Sequence, residues 1–256
     1  MKNILIIIIV ISFGCNQINQ KSGPNAYRQG DSIKTDTLNF APPTTALPII
    51  PLKFLPTSFA LDSIISVDTT FNYFTTLYFP KSNHDDALNK SIQEFIQQQV
   101  NLEKPEEKTN DNTSFDMWIT EIKISEHLIH CLFMEQSFTE GSAHFNHGYS
   151  TLNYDLIKKK KILFTDLFTL SSKKDKQTFC DVINESNDGN SDFLTPKDLN
   201  NNLDYEIIKD GLTLYFDDFE KAPSMTTIGI DLAKIQKFID PTLGKDYSLI
   251  IPNTRN

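Results

Sequence analysis

Three strand-like runs in close succession, at residues 115–124, 128–138 and 145–156, constrain the fold of this chain more than any other feature. They are rich in β-branched and aromatic residues, and isolated strands of this length need neighbours to bury a face. In the first run Trp118, Thr120, Ile122 and Ile124 alternate with Met117, Ile119, Glu121 and Lys123, so one face is expected to be buried. Ser125-Glu126 is short enough for a hairpin connection. Upstream, the aromatic run 71–79 reads as another strand, ended by Pro80. Residues 87–100 then place Leu88, Ile92, Phe95, Ile96 and Val100 at helical spacing, followed by a charged loop over 103–114.

Downstream, Ser171 or Ser172 is expected to cap a helix running to about Ser186, with Phe179, Val182 and Ile183 inward. Strands at 205–208 and 212–216 flank Lys209-Asp210-Gly211, a hairpin turn in which glycine would supply a positive φ. Residues 226–230 read as a strand, Asp231 as the cap of a helix to Ile239, and Pro241 as its stop. Strands and helices interleave without a βαβ rhythm, which predicts an α+β fold: antiparallel sheets with a few packed helices. Two small lobes are expected, at 61–140 and 141–253.

The chain has 256 residues, with 24 Lys+Arg against 33 Asp+Glu, so its formal charge is −9. That balance argues against a nucleic-acid partner, which demands a basic face. Its 3 cysteines are too few for a disulfide-dense scaffold. Cys131 falls in an apolar strand and Cys180 beside a helix's inward face, so they are candidates either for a disulfide or for two buried thiols.

The N-terminus supplies an address. Met1-Lys2-Asn3 carries positive charge, residues 4–11 are all apolar, and Ser12-Phe13-Gly14-Cys15 follows, as in a secretory signal. The run is too short to span, since a helix rises ~1.5 Å per residue against a hydrocarbon core of ~30 Å. Gly14-Cys15 resembles the lipobox of bacterial lipoproteins, with Ser12 in place of the usual leucine. That resemblance implies a leader over residues 1–14, removed before a Cys15 that carries lipid, palmitate included. An ordinary signal with a chance cysteine is the alternative. More than one acyl chain would anchor the protein stably. Asn16, rather than aspartate, after the cysteine favours the outer membrane, facing the periplasm. Residues 15–60 are polar and then proline-rich, with Pro42, Pro43, Pro48, Pro51 and Pro56, and read as a tether. The alternative is that apolar residues near its end, Leu55 among them, dock on the folded part.

Glu140-Gly141-Ser142-Ala143-His144-Phe145-Asn146, then Asn153-Tyr154-Asp155-Leu156, then Ile162-Leu163-Phe164-Thr165-Asp166-Leu167-Phe168 form an ordered series. With Tyr78-Phe79-Pro80, Asn89-Lys90-Ser91-Ile92, Asp210-Gly211-Leu212 and Ala222-Pro223, this series resembles a known extracytoplasmic domain. That domain is shared by the lysozyme-sensing anti-sigma factor RsiV and, as an accessory domain, by PdaC-type peptidoglycan deacetylases. The resemblance covers residues 61–240. Ser142 stands in place of a glycine, and the segment after Ala222-Pro223 lacks a small-residue turn. No sigma-binding segment or spanning helix is recognisable, and Tyr215-Phe216-Asp217-Asp218-Phe219 only approaches the deacetylase metal motif. The resemblance therefore implies the module alone, on a lipid anchor.

The loop holding Glu140, Gly141, His144 and Asn146 is the candidate ligand-binding segment. Glu140, His144 and His147 are the alternative, a zinc site. His144 is also a candidate for fixing the loop while Gly141 makes its bend. His127 and His130 are expected to face solvent. Residues 158–161 (Lys-Lys-Lys-Lys) read as a solvated hairpin tip, or as a contact for anionic lipid or glycan. No nucleophile elbow or phosphate-cradling loop is present, and no cofactor is expected. Asp217 and Asp218, adjacent on a strand, point to opposite faces, and Asp85-Asp86 reads as a helix cap. The expected function is a non-catalytic, lipid-anchored envelope module binding peptidoglycan or a lysozyme-like protein. A metal-dependent envelope glycan hydrolase or deacetylase, and a structural outer-membrane component, are the alternatives.

Overall fold

The computed structural model describes residues 55–108, 110–186, 194–200, 203–208, 211–216 and 226–246. The expected leader, Cys15 and most of the tether lie outside these residues, as do Lys209, Asp210, Asp217, Asp218, Ala222 and Pro223. The fold is α+β, with a six-stranded sheet, a three-stranded sheet and a few helices.

The larger sheet runs in spatial order β1 (Phe59–Asp68), β2 (Tyr73–Ser82), β3 (Thr113–Ile124), β4 (Leu128–Thr139), β5 (Asn146–Asp155) and β6 (Lys160–Lys161). Every neighbouring pair is antiparallel except β2 and β3, which run parallel because helix α1 (Asp86–Glu103) carries the chain across between them. Asp85 caps α1, accepting from the Leu88 N–H at 3.0 Å, as its place ahead of an apolar-periodic run predicts. Leu88, Ile92, Phe95 and Ile96 then face the sheet and meet Leu77, Phe115, Met117, Cys131, Phe133 and Leu152 in the first core. Leu55 packs against this core and Phe59 is part of it, so the folded region begins ahead of residue 61.

Two details of the strands differ from expectation. Pro80 does not end β2. The ladder to β3 stops at Tyr78, so Pro80 lies where β2 is paired only with β1, and its missing N–H interrupts nothing on the other side. In β3 the alternation changes phase. Phe115, Met117 and Ile119 point inward, a bulge between Ile119 and Glu121 inserts one residue, and Ile122 beyond it turns toward the first core.

The expected division at 140/141 also moves. β5 is hydrogen-bonded to β4 along its whole length, from Asn146↔Ser137 to Asp155↔Leu128, so it belongs to the larger sheet. The second core gathers beyond it. The helices α2 (Phe164–Leu167), α3 (Lys173–Ser186) and α4 (Leu232–Ile235) pack with β7 (Asp204–Ile208), β8 (Gly211–Phe216) and β9 (Thr226–Asp231). Ser172 caps α3, accepting from the Asp175 N–H at 3.0 Å while Asp175 accepts in return from Ser172. Phe179, Cys180 and Ile183 on α3 are wholly buried. Asp231 caps α4 as expected. The helical stretch after Asp231 ends at Phe238, ahead of Pro241, which also starts a further one: Asp240 caps the turn Pro241–Asp246, and proline suits a first helical position because that N–H needs no partner.

Gly211 is required for a reason other than a positive φ. A Cβ placed on it would sit 2.0 Å from the Ile230 carbonyl oxygen on β9. Gly211→Ala is therefore expected to destabilise the protein by about 1–3 kcal/mol, read as a lower urea midpoint.

Cys131 and Cys180 are buried thiols and not halves of a disulfide. They sit in different cores, Cys131 under α1 and Cys180 beside Phe179. Burial pushes the Cys131 thiol up to about 12, which suppresses the reactive thiolate. Both are expected to resist an aromatic disulfide reagent in the folded protein and to react on unfolding; rapid modification of either in native buffer would contradict this burial.

Candidate functional site

The loop singled out by sequence closes the β4–β5 hairpin. Gly141 makes its bend with φ +90°, and the Ser142 N–H closes the turn onto the Thr139 carbonyl at 2.9 Å. Glu140 turns away from the histidines: its carboxylate accepts from the Asn112 side chain at 2.7 Å and from the Asn112 backbone at 3.3 Å. His144 is exposed, and its Nδ1 hydrogen-bonds the Phe145 carbonyl at 3.0 Å. Asn146 and His147 lie in β5, opposite Ser137 and Gln136, and the His147 ring lies 6.5 Å from that of Phe145. The structure thus gives Glu140, His144 and His147 separate surroundings. Among the described residues no group of three or more His, Cys, Asp or Glu is placed to hold a metal.

The other histidine pair divides. His127 stays half-exposed at the β3–β4 turn, whereas His130 is 1% exposed. The reason is that β4 and β5 are covered on both faces along part of their length: Ile129, Cys131, Leu152 and Tyr154 face the first core. His130, Thr151 and Asn153 are buried as well, and the latter two meet β7 through hydrogen bonds. His130 Nδ1 pairs with Asn153 Oδ1 at 2.9 Å, and Asn153 Nδ2 donates to the Tyr205 carbonyl at 2.7 Å. Thr151 donates from its backbone and its hydroxyl to Asp204, at 2.5 and 2.9 Å, and its hydroxyl accepts from the Tyr205 N–H at 3.0 Å. Beside them the buried Glu206 carboxylate is held by Lys123 and by the Tyr215 hydroxyl at 2.9 Å. Burial opposes the Lys123 charge, but its bonds to Glu206 and Glu121 outweigh that and hold the ammonium above its ordinary value. Burial, with Glu206 alongside, pushes the Tyr215 phenol up.

Burial pushes the His130 imidazole below its ordinary value of 6.5, although Asn153 and Glu206 pull the other way. In mild acid the unfolded chain therefore takes up the proton first, and stability is lost as pH falls through and below 6.5, with nothing contributed at higher pH. Urea midpoints measured from about pH 8 down to pH 5 should decline by less in His130→Gln than in the wild type; parallel profiles would count against this burial.

The same seam opens into a cleft. β6 pairs only with Tyr154 and Asp155; beyond them β5 meets no strand on that edge, and its backbone is met instead by the Ile162 N–H on the Asn153 carbonyl at 2.8 Å and by the Asp204 carboxylate on the Thr151 N–H. The C-terminal half of α1, β5 and the start of β7 enclose a volume of about 190 Å³ there. Gln98, Gln99 and Glu103 come from α1, Glu135 from β4, Tyr149, Ser150 and Thr151 from β5, and Asp204 from β7. Ser150 donates to Glu135 and Thr151 to Asp204, so two of the carboxylates are fixed in direction. Lys161 forms part of the floor, its ammonium 4.9 Å from the centre of the Phe95 ring. Burial holds that ammonium below the ordinary lysine value, with Asp204 opposing.

The tetralysine turn is accordingly not a uniform solvated tip. Lys158, Lys159 and Lys160 are exposed, the first lying 3.7 Å from Asp155 and the second pairing with the helix cap Asp85, whereas Lys161 is half-buried and lines the cleft. Nothing in the sequence separates Lys161 and Asp204 from any other lysine or aspartate.

No protein-family model matches the chain, and no curated protein does. Two solved structures are similar to this α+β domain. One is a DUF3298 family protein from Pseudomonas aeruginosa PAO1, with a TM-score of 0.45 and 14% identity over 72% of this chain and 96% of that one. The other is a DUF3298 family member from Bacteroides fragilis, with a TM-score of 0.46 and 16% identity over 75% of this chain and 98% of that one. DUF3298 is an uncharacterised domain family. Among the described residues no helix is long and apolar enough to cross a membrane.

Proposed function

We propose that this chain is a lipid-anchored envelope protein whose folded part binds peptidoglycan without transforming it. Cys15 carries the acyl chains, residues 16 onward act as the tether, and the protein sits on the outer membrane facing the periplasm. The observation that carries the binding half is the cleft beside β5: a small concavity lined by amides, hydroxyls, carboxylates and one lysine, with its polar groups held in place. Fixed donors and acceptors in a concave site are what small-ligand recognition requires.

A second reading has its own support. The formal charge of −9 favours a basic protein partner of the lysozyme kind through electrostatic steering, which is strongest at low salt. Co-sedimentation of the full chain with purified sacculi, beside a lysozyme pull-down at low and high salt, separates the two. Sedimentation with sacculi supports the first reading; retention by lysozyme alone replaces it; retention by neither removes both.

The anchor is tested independently. Cys15→Ala should abolish labelling by radioactive palmitate and move the protein from the membrane to the soluble fraction, since more than one acyl chain is needed for stable anchoring. Undiminished labelling in that variant would refute lipidation at this position.

A further inference from the structure

We propose that the cleft recognises a zwitterionic amino-acid head group, free or at the end of a peptide branch, with its carboxylate on Lys161 and its ammonium among Asp204, Glu135 and Glu103. The inference rests on the binding reading above and names the chemistry of that site. Its starting point is Lys161. The side chain is half-buried, its ammonium lies over the Phe95 ring, and no oxygen among the described residues accepts a hydrogen bond from it. An ammonium partly removed from water retains strong donors, and a charge-assisted bond to a carboxylate is the strongest partner available to it. Burial already holds its charge at a disadvantage, so an incoming anion is favoured over an empty floor.

A simple anion does not suit the rest of the lining. Three carboxylates, from Glu103, Glu135 and Asp204, border the same volume against one cation. Two of them are oriented by Ser150 and Thr151, and a carboxylate keeps acceptor capacity after one or two such bonds. A ligand satisfying both signs at once must carry a carboxylate and an ammonium a few ångströms apart. The volume of about 190 Å³ falls below the ~300–1,000 Å³ of sites for drug-sized ligands, which suits a single small head group. Peptidoglycan peptides offer such a group where a diamino acid keeps its distal amine and distal carboxylate free; a chain-terminal D-amino acid, whose nitrogen is an amide, offers it only as the free amino acid.

The test uses the full chain in detergent and two probes, meso-diaminopimelic acid and D-alanine, followed by NMR or calorimetry. At least one probe should bind, its Nα-acetyl and its carboxamide derivatives should each bind at least about tenfold more weakly, and Lys161→Met should weaken the parent probe by a similar factor. The derivative series needs no mutant, so it stands even if Lys161→Met folds poorly. Equal binding of the acetylated or amidated forms, or binding of chitotriose in the same cleft unaffected by Lys161→Met, overturns the proposal. Sacculi retained with no head-group binding overturns it while leaving the peptidoglycan reading intact; loss of both overturns the two together.

Discussion

Phe164→Ala is expected to cost about 3–5 kcal/mol of stability, the range for removing a large aromatic side chain from a well-packed core. Phe164 is fully buried, and its ring lies 4.9 Å from that of Phe168, 5.6 Å from Tyr205 and 6.0 Å from Phe179. It therefore joins the short helix α2 to α3 and to β7 at one point. The Tyr205 hydroxyl also donates to the Ile162 carbonyl at 2.8 Å, two residues before Phe164, so loosening this ring disturbs the seam as well as the core. Urea unfolding gives the value directly. Ile65→Ala, at a β1 position 65% exposed, serves as the comparison and should change stability by no more than about 0.5 kcal/mol. Equal effects of the two substitutions would show that the second core is not organised around this ring.

Asn153→Leu is expected to be nearly as damaging, for a different reason. The substitution keeps the volume but takes one partner from His130 and another from the Tyr205 carbonyl, both inside the protein. Each buried polar group left short of a partner costs about 1–3 kcal/mol, so the pair amounts to about 2–6 kcal/mol. Hydrogen exchange supplies the second readout: amides of β7 should exchange faster, because Asn153 and Thr151 are what tie that strand to β5. Wild-type stability with unchanged exchange in β7 would mean that the two sheets are held together by apolar contact alone.

These two residues also show what the motif resemblance was reporting. The asparagine and aspartate of Asn153-Tyr154-Asp155-Leu156 are structural. Asn153 bridges two sheets, and Asp155 accepts from the backbone of Ile157 and Lys158 at 2.8 and 2.7 Å to shape the turn into β6. Phe164, Leu167 and Phe168 of the next motif are core anchors. Gly141 is a backbone device and Glu140 a brace to Asn112. These residues have architectural roles in this chain, while Lys161 and Asp204 in the cleft belong to none of the quoted motifs except by proximity.

Local physics was legible wherever one residue's own chemistry decided the outcome. The period of 3.6 located α1, Asp85 and Ser172 announced their helices, and alternating aromatic and β-branched runs placed β3 to β5 to within two residues and the start of β2 as closely, though not its end. Failures came where a second strand or helix had a vote. Pro80 is tolerated because β3 has already diverged, Gly211 is demanded by a carbonyl on β9, and His130 is buried because a second sheet covers β4.

Sequence alone carried the α+β class, the types of β2 to β5, α1, α3 and β7 to β9, and the inward faces of the two long helices, because periodicity and capping act within a few residues and do not depend on what lies opposite. It gave no sign of β1, β6 or α2. Only the tertiary structure decided that β5 completes the larger sheet, that Lys161 turns into a cleft while Lys160 remains in water, and that Glu140 pairs with Asn112 instead of joining the histidines. Those outcomes depend on partners up to fifty or more positions away, such as Asp204 for Thr151, whose approach is set by the packing of two sheets and by no pattern along the chain.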